Sequence, residues 1–163
     1  MYSHVADDYD CPVCRGLRGE DGSAELIQPS DIVDQNELAV ATVCTHFLPG
    51  SPGHVIVMPV RHYENLHAMP PRELHACIDM AQAVALAMKA RYGAAGITLR
   101  QNNEPAGSQT VFHFHLHVVP RYEGDGYDDG PEEYLASVEE RARWARRLTA
   151  GARLISASAS QDL

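Results

Sequence analysis

Hydrophobic spacing divides this chain into a short series of elements. Leu38 to Val43 is a nearly unbroken apolar run, and His54 to Met58 is a second, β-branched and set off by the turn Pro49-Gly-Ser-Pro-Gly53. Apolar runs of this length between turn residues predict strands, here an antiparallel pair. Pro70-Pro71 then opens a segment in which Leu74, Cys77, Ile78, Ala81, Val84, Ala85 and Met88 recur at helical spacing until Gly93 closes it. Gly96 to Arg100 predicts another strand, and a loop rich in Asn, Pro, Gly and Ser from Asn102 to Gln109 leads into a strand over Thr110 to Val119, ended by Pro120. Pro131 begins a second helix with Leu135, Val138, Ala142 and Ala145 on one face; its other face, with Glu139 and Arg143 four residues apart, reads as solvated. The pattern is that of an α+β fold, a mixed antiparallel sheet with two main helices in a single domain over residues 1–150. The serine- and alanine-rich tail 151–163 is expected to be disordered.

Composition narrows the function. A chain of 163 residues with ordinary apolar content builds a core without a disulfide framework, and 22 acidic against 13 basic residues give a net charge of -9. That field opposes nonspecific binding to nucleic acid or to an anionic membrane, so an anionic ligand must be held locally. No basic segment followed by an apolar one opens the chain and no apolar run approaches a membrane span, so the expected location is cytoplasmic, with neither nucleic acid nor membrane as partner. Of four cysteines, Cys44 and Cys77 sit among apolar neighbours and are expected in the core; only Cys11 and Cys14 are spaced for chemistry. Taken alone, Cys11-Pro-Val-Cys14 fits half a zinc site, a redox pair or chance.

The densest chemistry is Val111-Phe-His-Phe-His-Leu-His-Val-Val-Pro120. On a strand, His113, His115 and His117 line one face at intervals of about 6.6–6.8 Å, while Phe112, Phe114, Leu116 and Val118 point to the other. Three alternating imidazoles have no packing advantage, because half-buried rings need polar partners. Two mechanisms fit: the histidines are ligands of a catalytic zinc ion, or one neutral imidazole attacks phosphorus while its neighbours stabilise the developing charge. The loop before them, with Asn102, Asn103, Gly107, Ser108, Gln109 and Thr110, supplies neutral donors and a flexible backbone suited to phosphate oxygens.

The segment from Gln101 to Arg121, with its His-apolar-His-apolar-His followed by two apolar residues, resembles the signature of the histidine triad (HIT) nucleotide hydrolases and transferases. Pro52-Gly-His-Val-Ile-Val-Met-Pro-Val-Arg-His62 is similar to the strand before that family's first long helix, so the likeness runs from about Cys11 to Arg121. The resemblance implies a HIT-like antiparallel sheet of about five strands, and it implies that His115 attacks the α-phosphate of a purine nucleotide or nucleotide conjugate. His117 would contact that phosphate and orient the nucleophile, with the His117 backbone carbonyl fixing the tautomer of His115. Asn103, Gln109 and Thr110 fall at nucleotide and phosphate contacts, and His54 stands behind the triad as a hydrogen-bond partner. In zinc-containing bacterial-type members, Cys11, Cys14, His62 and His113 would form a closed structural zinc site that ties an N-terminal arm, about residues 1–30, to the catalytic strand. His46 occupies the position where relatives place Asp or Asn against ribose. His4, His67 and His75 lack patterned neighbours and are expected on the surface.

The resulting expectation is a hydrolase that works through a covalent nucleotidyl-histidine on nucleoside phosphoramidates or dinucleoside polyphosphates and releases a nucleoside monophosphate. The third histidine favours hydrolysis, since the related uridylyltransferases carry glutamine there. The alternatives are a zinc hydrolase with the triad as ligands, and a noncatalytic nucleotide-binding scaffold using the acidic loop Glu123 to Asp129 and the C-terminal helix. A homodimer that joins two sheets is expected from the resemblance.

Overall fold

The two apolar runs form the middle of a sheet and are buried on both sides. The computed structural model describes residues 3–6, 8–20, 22–130 and 132–150; the tail 151–163 and the expected helix start at Pro131 lie outside them. In chain order the elements are α1 (Pro12–Leu17), β1 (Ile32–Gln35), β2 (Ala39–Val43), β3 (His46–Phe47), β4 (Val55–Pro59), α2 (Pro71–Ala87), β5 (Gly96–Gln101), β6 (Leu116–Arg121), β7 (Tyr134–Leu135) and α3 (Val138–Thr149). Five of the strands make an antiparallel sheet in the order β1-β2-β4-β6-β5, and β3 pairs with β7 beside it. The α+β architecture and the five-stranded sheet are therefore those expected.

Alternation along the central strands sorts their side chains between two cores. Ala39, Ala41, Val43, Val55 and Val57 pack under Met80, Ala81 and Val84 of α2 and Ala145 and Leu148 of α3. Val40, Ile56 and Met58 point to the opposite face, where Cys11 and Val13 of the N-terminal arm and Ile27 cover them. A strand covered on both faces reads as a continuous apolar run instead of an alternating one. Helix α2 begins at a proline, where the missing N–H deprives no acceptor, and its last turn widens over Met88–Tyr92 before Gly93 ends it at φ 73.

Three expectations need correction. The strand expected from Thr110 starts only at Leu116, because Phe114 N donates to the Tyr63 carbonyl at 2.7 Å instead of joining the ladder. Pro120 does not end it: β4 pairs only as far as Val118, and β5 follows β6 to Arg121. The last helix starts at Val138, capped by Ser137, whose hydroxyl accepts from Glu140 N; Leu135 belongs to β7 and is exposed. Strand β1 was not anticipated, since only Ile32 and Val33 in it are apolar.

Candidate functional site

Two clusters flank the segment that carries the alternating histidines. The first joins the N-terminal turn to it. Cys11, Cys14, His62 and His113 bring one ligating atom each within 4.8 Å of one another. Tetrahedral zinc, with bonds of about 2.3 Å to sulfur and 2.0–2.1 Å to nitrogen, sets S···N edges of about 3.6 Å. Those seen are 3.5 Å from Cys11 Sγ to His113 Nδ1, 3.5 Å from Cys14 Sγ to His62 Nδ1, and 3.6 Å from Cys14 Sγ to His113 Nδ1. The His113 ring is oriented as a ligand: its Nε2–H donates to the Pro59 carbonyl at 3.0 Å, which leaves the Nδ1 lone pair toward the thiols. Burial pushes the Cys14 thiol up to about 11, so without a nearby cation that thiol resists ionising. The donor set and its spacing fit a four-coordinate zinc ion.

The second cluster is a stack of three imidazoles on the same sheet face. His115 Nδ1–H donates to the His113 carbonyl at 2.7 Å, which leaves Nε2 as the unprotonated nitrogen of that ring. Its tautomer is thus fixed by the backbone of His113 and not by that of His117 as expected. The rings of His115 and His117 meet edge to face with centroids 4.9 Å apart, and His117 Nδ1 lies 3.1 Å from Nε2 of the buried His54. His54 Nδ1 has no partner among the described residues. An orphaned acceptor is tolerated more readily than an orphaned N–H, so His54 donates from Nε2 to His117 Nδ1, and His117 presents an N–H at Nε2. Burial drives all three toward the neutral form: His54 is pushed down to about 3 and His117 to about 2, while His115 is lowered chiefly by burial and further by the Arg100 guanidinium.

His115 and His117 line a cavity of about 460 Å³ whose walls come from both ends of the chain. Pro12, Leu26 and Ile27 give it apolar lining, and Thr45, His46, Asn102, Ser108, Thr110 and Glu133 give it polar lining. His113 is not among the lining residues. The three triad rings therefore do not converge on one point, and among the described residues the metal-ligating atoms cluster at Cys11, Cys14, His62 and His113.

A model of the HIT domain matches residues 25–124, more than half of the chain. The chain belongs to the HIT family. An uncharacterised HIT-like protein of Methanocaldococcus jannaschii is 33% identical over 116 residues, 71% of this chain and 82% of that one. Adenylylsulfatase HINT3 of Arabidopsis thaliana is 29% identical over 116 residues, 71% of this chain and 54% of that one, so the family includes hydrolases. The crystal structure of a zinc-bound histidine triad family protein from Mycobacterium smegmatis superposes with a TM-score of 0.66 at 27% identity, covering 86% of this chain and 94% of that one.

Within this HIT protein the loop before the triad is built differently from expectation. Asn103 faces away from the cavity: its Oδ1 accepts from Leu66 N at 2.8 Å, and its amide pairs with Gln101. Gln109 is buried, donating to the carbonyls of Glu64 and Val111 and accepting from Glu104 N, so it braces the loop. Asn102, Ser108 and Thr110 line the cavity. Residues 104 and 108 adopt positive φ without being glycine, at 62° and 66°, strain that the Gln109 bridge holds in place. Phe112 leaves the core side for the aromatic ring of Tyr9, and Cys44 packs against the second core, as expected, while also lining the cavity, its thiol pushed up to about 11 by burial. Cys77 is fully buried, and His4, His67 and His75 are exposed, as expected. Arg100 and Glu133, on the cavity wall, had no periodic or motif signal to mark them.

Proposed function

We propose that this HIT protein hydrolyses nucleotide conjugates through a covalent nucleotidyl-histidine. The observation that carries this reading is the pairing of His115 Nδ1–H with the His113 carbonyl, which leaves a Nε2 lone pair on a cavity-lining ring. In the first step Nε2 bonds to the α-phosphorus and the bond to the leaving group breaks, its electron pair departing with the leaving atom. The His117 Nε2–H, set by His54, donates to a phosphoryl oxygen as charge gathers there. Water then attacks phosphorus, the P–N bond breaks with its electron pair returning to Nε2, one water proton passes to solvent, and a nucleoside monophosphate leaves. Asn102, Ser108 and Thr110 hold phosphate oxygens, and His46 with Thr45 forms the wall open to the nucleoside, a purine nucleotide being the expected occupant.

The cluster of Cys11, Cys14, His62 and His113 reads as a structural zinc site of the bacterial zinc-containing kind, with the zinc-bound mycobacterial relative in its support. Such an ion supplies cross-linking only; the chain's own part is to hold the arm against the sheet and to fix His113. A homodimer formed along the free edge of β5, where Leu99 is 52% exposed, fits the expected joining of sheets. His115→Gly tests the function: turnover of adenosine phosphoramidate and diadenosine polyphosphates falls at least about 10⁴-fold with zinc content unchanged. Retained turnover, or loss of zinc from that variant, would contradict it, the latter in favour of the triad as metal ligands.

A further inference from the structure

Strand β5 places Arg100 directly opposite His117 of β6. Residues so paired share a face of the sheet with Cβ atoms about 4.5–5.5 Å apart, so the guanidinium emerges beside the reacting imidazoles. Arg100 lines the same cavity as His115 and His117, and it is the only lysine or arginine among the described lining residues. In a chain of net charge -9 whose cavity also carries Glu25 and Glu133, it is the single side chain there with a permanent positive charge. Its ion pair is loose: one guanidinium nitrogen stands 4.0 Å from Glu133 Oε1, and both side chains are 43% exposed. A contact at that distance and exposure contributes little and exchanges readily for a better acceptor.

We infer that Arg100 binds the tetrahedral oxyanion of an anionic leaving group, a phosphate or sulfate joined to the α-phosphate through oxygen, and that Glu133 holds the guanidinium until such a group displaces it. The inference rests on the hydrolase reading above. When His115 Nε2 bonds to phosphorus and the P–O bond breaks, the electron pair and the new negative charge stay on the departing oxyanion, and Arg100 neutralises that charge. A phosphoramidate releases an uncharged amine after protonation and makes no such demand. Arg100 thereby favours anhydride substrates over phosphoramidates, and Glu133 opposes it, as a carboxylate competing for the same fork.

The test compares kcat/KM of the full-length protein on adenosine phosphosulfate, diadenosine triphosphate and adenosine phosphoramidate. Arg100→Gln lowers the anhydride-to-phosphoramidate ratio by about 10- to 100-fold, the range of a hydrogen bond to a charged group, and Arg100→Lys recovers part of it. Glu133→Gln raises the ratio. A larger loss with the sulfate than with the triphosphate identifies sulfate as the preferred oxyanion, and the reverse identifies phosphate. An unchanged ratio in Arg100→Gln, or a fall in Glu133→Gln, overturns the inference; should Arg100→Gln not fold, the Lys and Glu133 variants decide it. Alkaline quenching during turnover separates the two readings. A nucleotidyl adduct on His115 with an unmoved ratio defeats the Arg100 inference alone, whereas no adduct with any substrate defeats the hydrolase reading beneath it.

Discussion

His113 serves both clusters at once. Its ring faces the cysteines and its carbonyl holds the His115 N–H at 2.7 Å, so a change at the cysteine cluster is felt next to the proposed nucleophile. Cys11→Ser is therefore expected to lose zinc, lower the melting temperature, and reduce kcat in the fraction that remains folded; zinc content, melting and turnover measured on one preparation check it. A second residue-scale expectation concerns Gly53, which sets the entry to His54 at φ 78 and whose Cβ would lie 2.7 Å from the Trp144 indole. Gly53→Ala should destabilise by about 1–3 kcal/mol in urea unfolding, from backbone strain and the clash together. The triad itself was legible in the sequence, because alternation and residue type coincide there. The hydrogen-bond partners of Asn103 and Gln109 were not, since one residue of loop geometry decides which way an amide faces, and neighbouring Asn102 and Asn103 look alike in sequence.

At the scale of elements, α3 does more than cover the core. Arg141 is fully buried, with its guanidinium 3.2 Å from Asp31 and donating to the carbonyls of Ala24 and Leu26. It thus ties a helix outside the HIT match to the strip that supplies Glu25, Leu26 and Ile27 to the cavity wall. Arg141→Ala strips a buried carboxylate of its counter-charge, leaving it only the Gln28 N–H, and takes a donor from the carbonyls of Ala24 and Leu26; it is expected to destabilise by about 3–5 kcal/mol in chemical unfolding and to raise KM more than it lowers kcat. The apolar stripe of α3 announced a helix, but an arginine within that helix reads from sequence as solvated, because its partners lie more than a hundred residues away. The central strands were readable for the opposite reason: cover on both faces writes itself into an unbroken apolar run. Strand β1, with one polar face and few residues, writes almost nothing.

For the molecule as a whole, the buried histidines make stability depend on pH. His54 and His117 titrate near pH 6.5 when unfolded but are pushed down to about 3 and about 2 by burial. Above pH 6.5 both are neutral in either state and the stability they permit is fully present. As pH falls from 6.5 toward 3 the unfolded chain takes up protons that the folded chain excludes, so stability declines by up to about 1.4 kcal/mol per pH unit for each ring. Urea unfolding between pH 8 and 5 should show that slope, and His117→Gln should show less of it. No helix among the described residues is long and apolar enough to cross a membrane. The net charge of -9 opposes anions, so an anionic ligand in the cavity would have to be held by local donors. The most direct test of the central claim is a millisecond alkaline quench of enzyme mixed with adenosine phosphoramidate or diadenosine triphosphate, followed by peptide mass spectrometry. The account predicts an acid-labile adenylyl group on His115, transient in the wild type and longer-lived when water attack is slowed; an adduct on another residue, or none during active turnover, would contradict it.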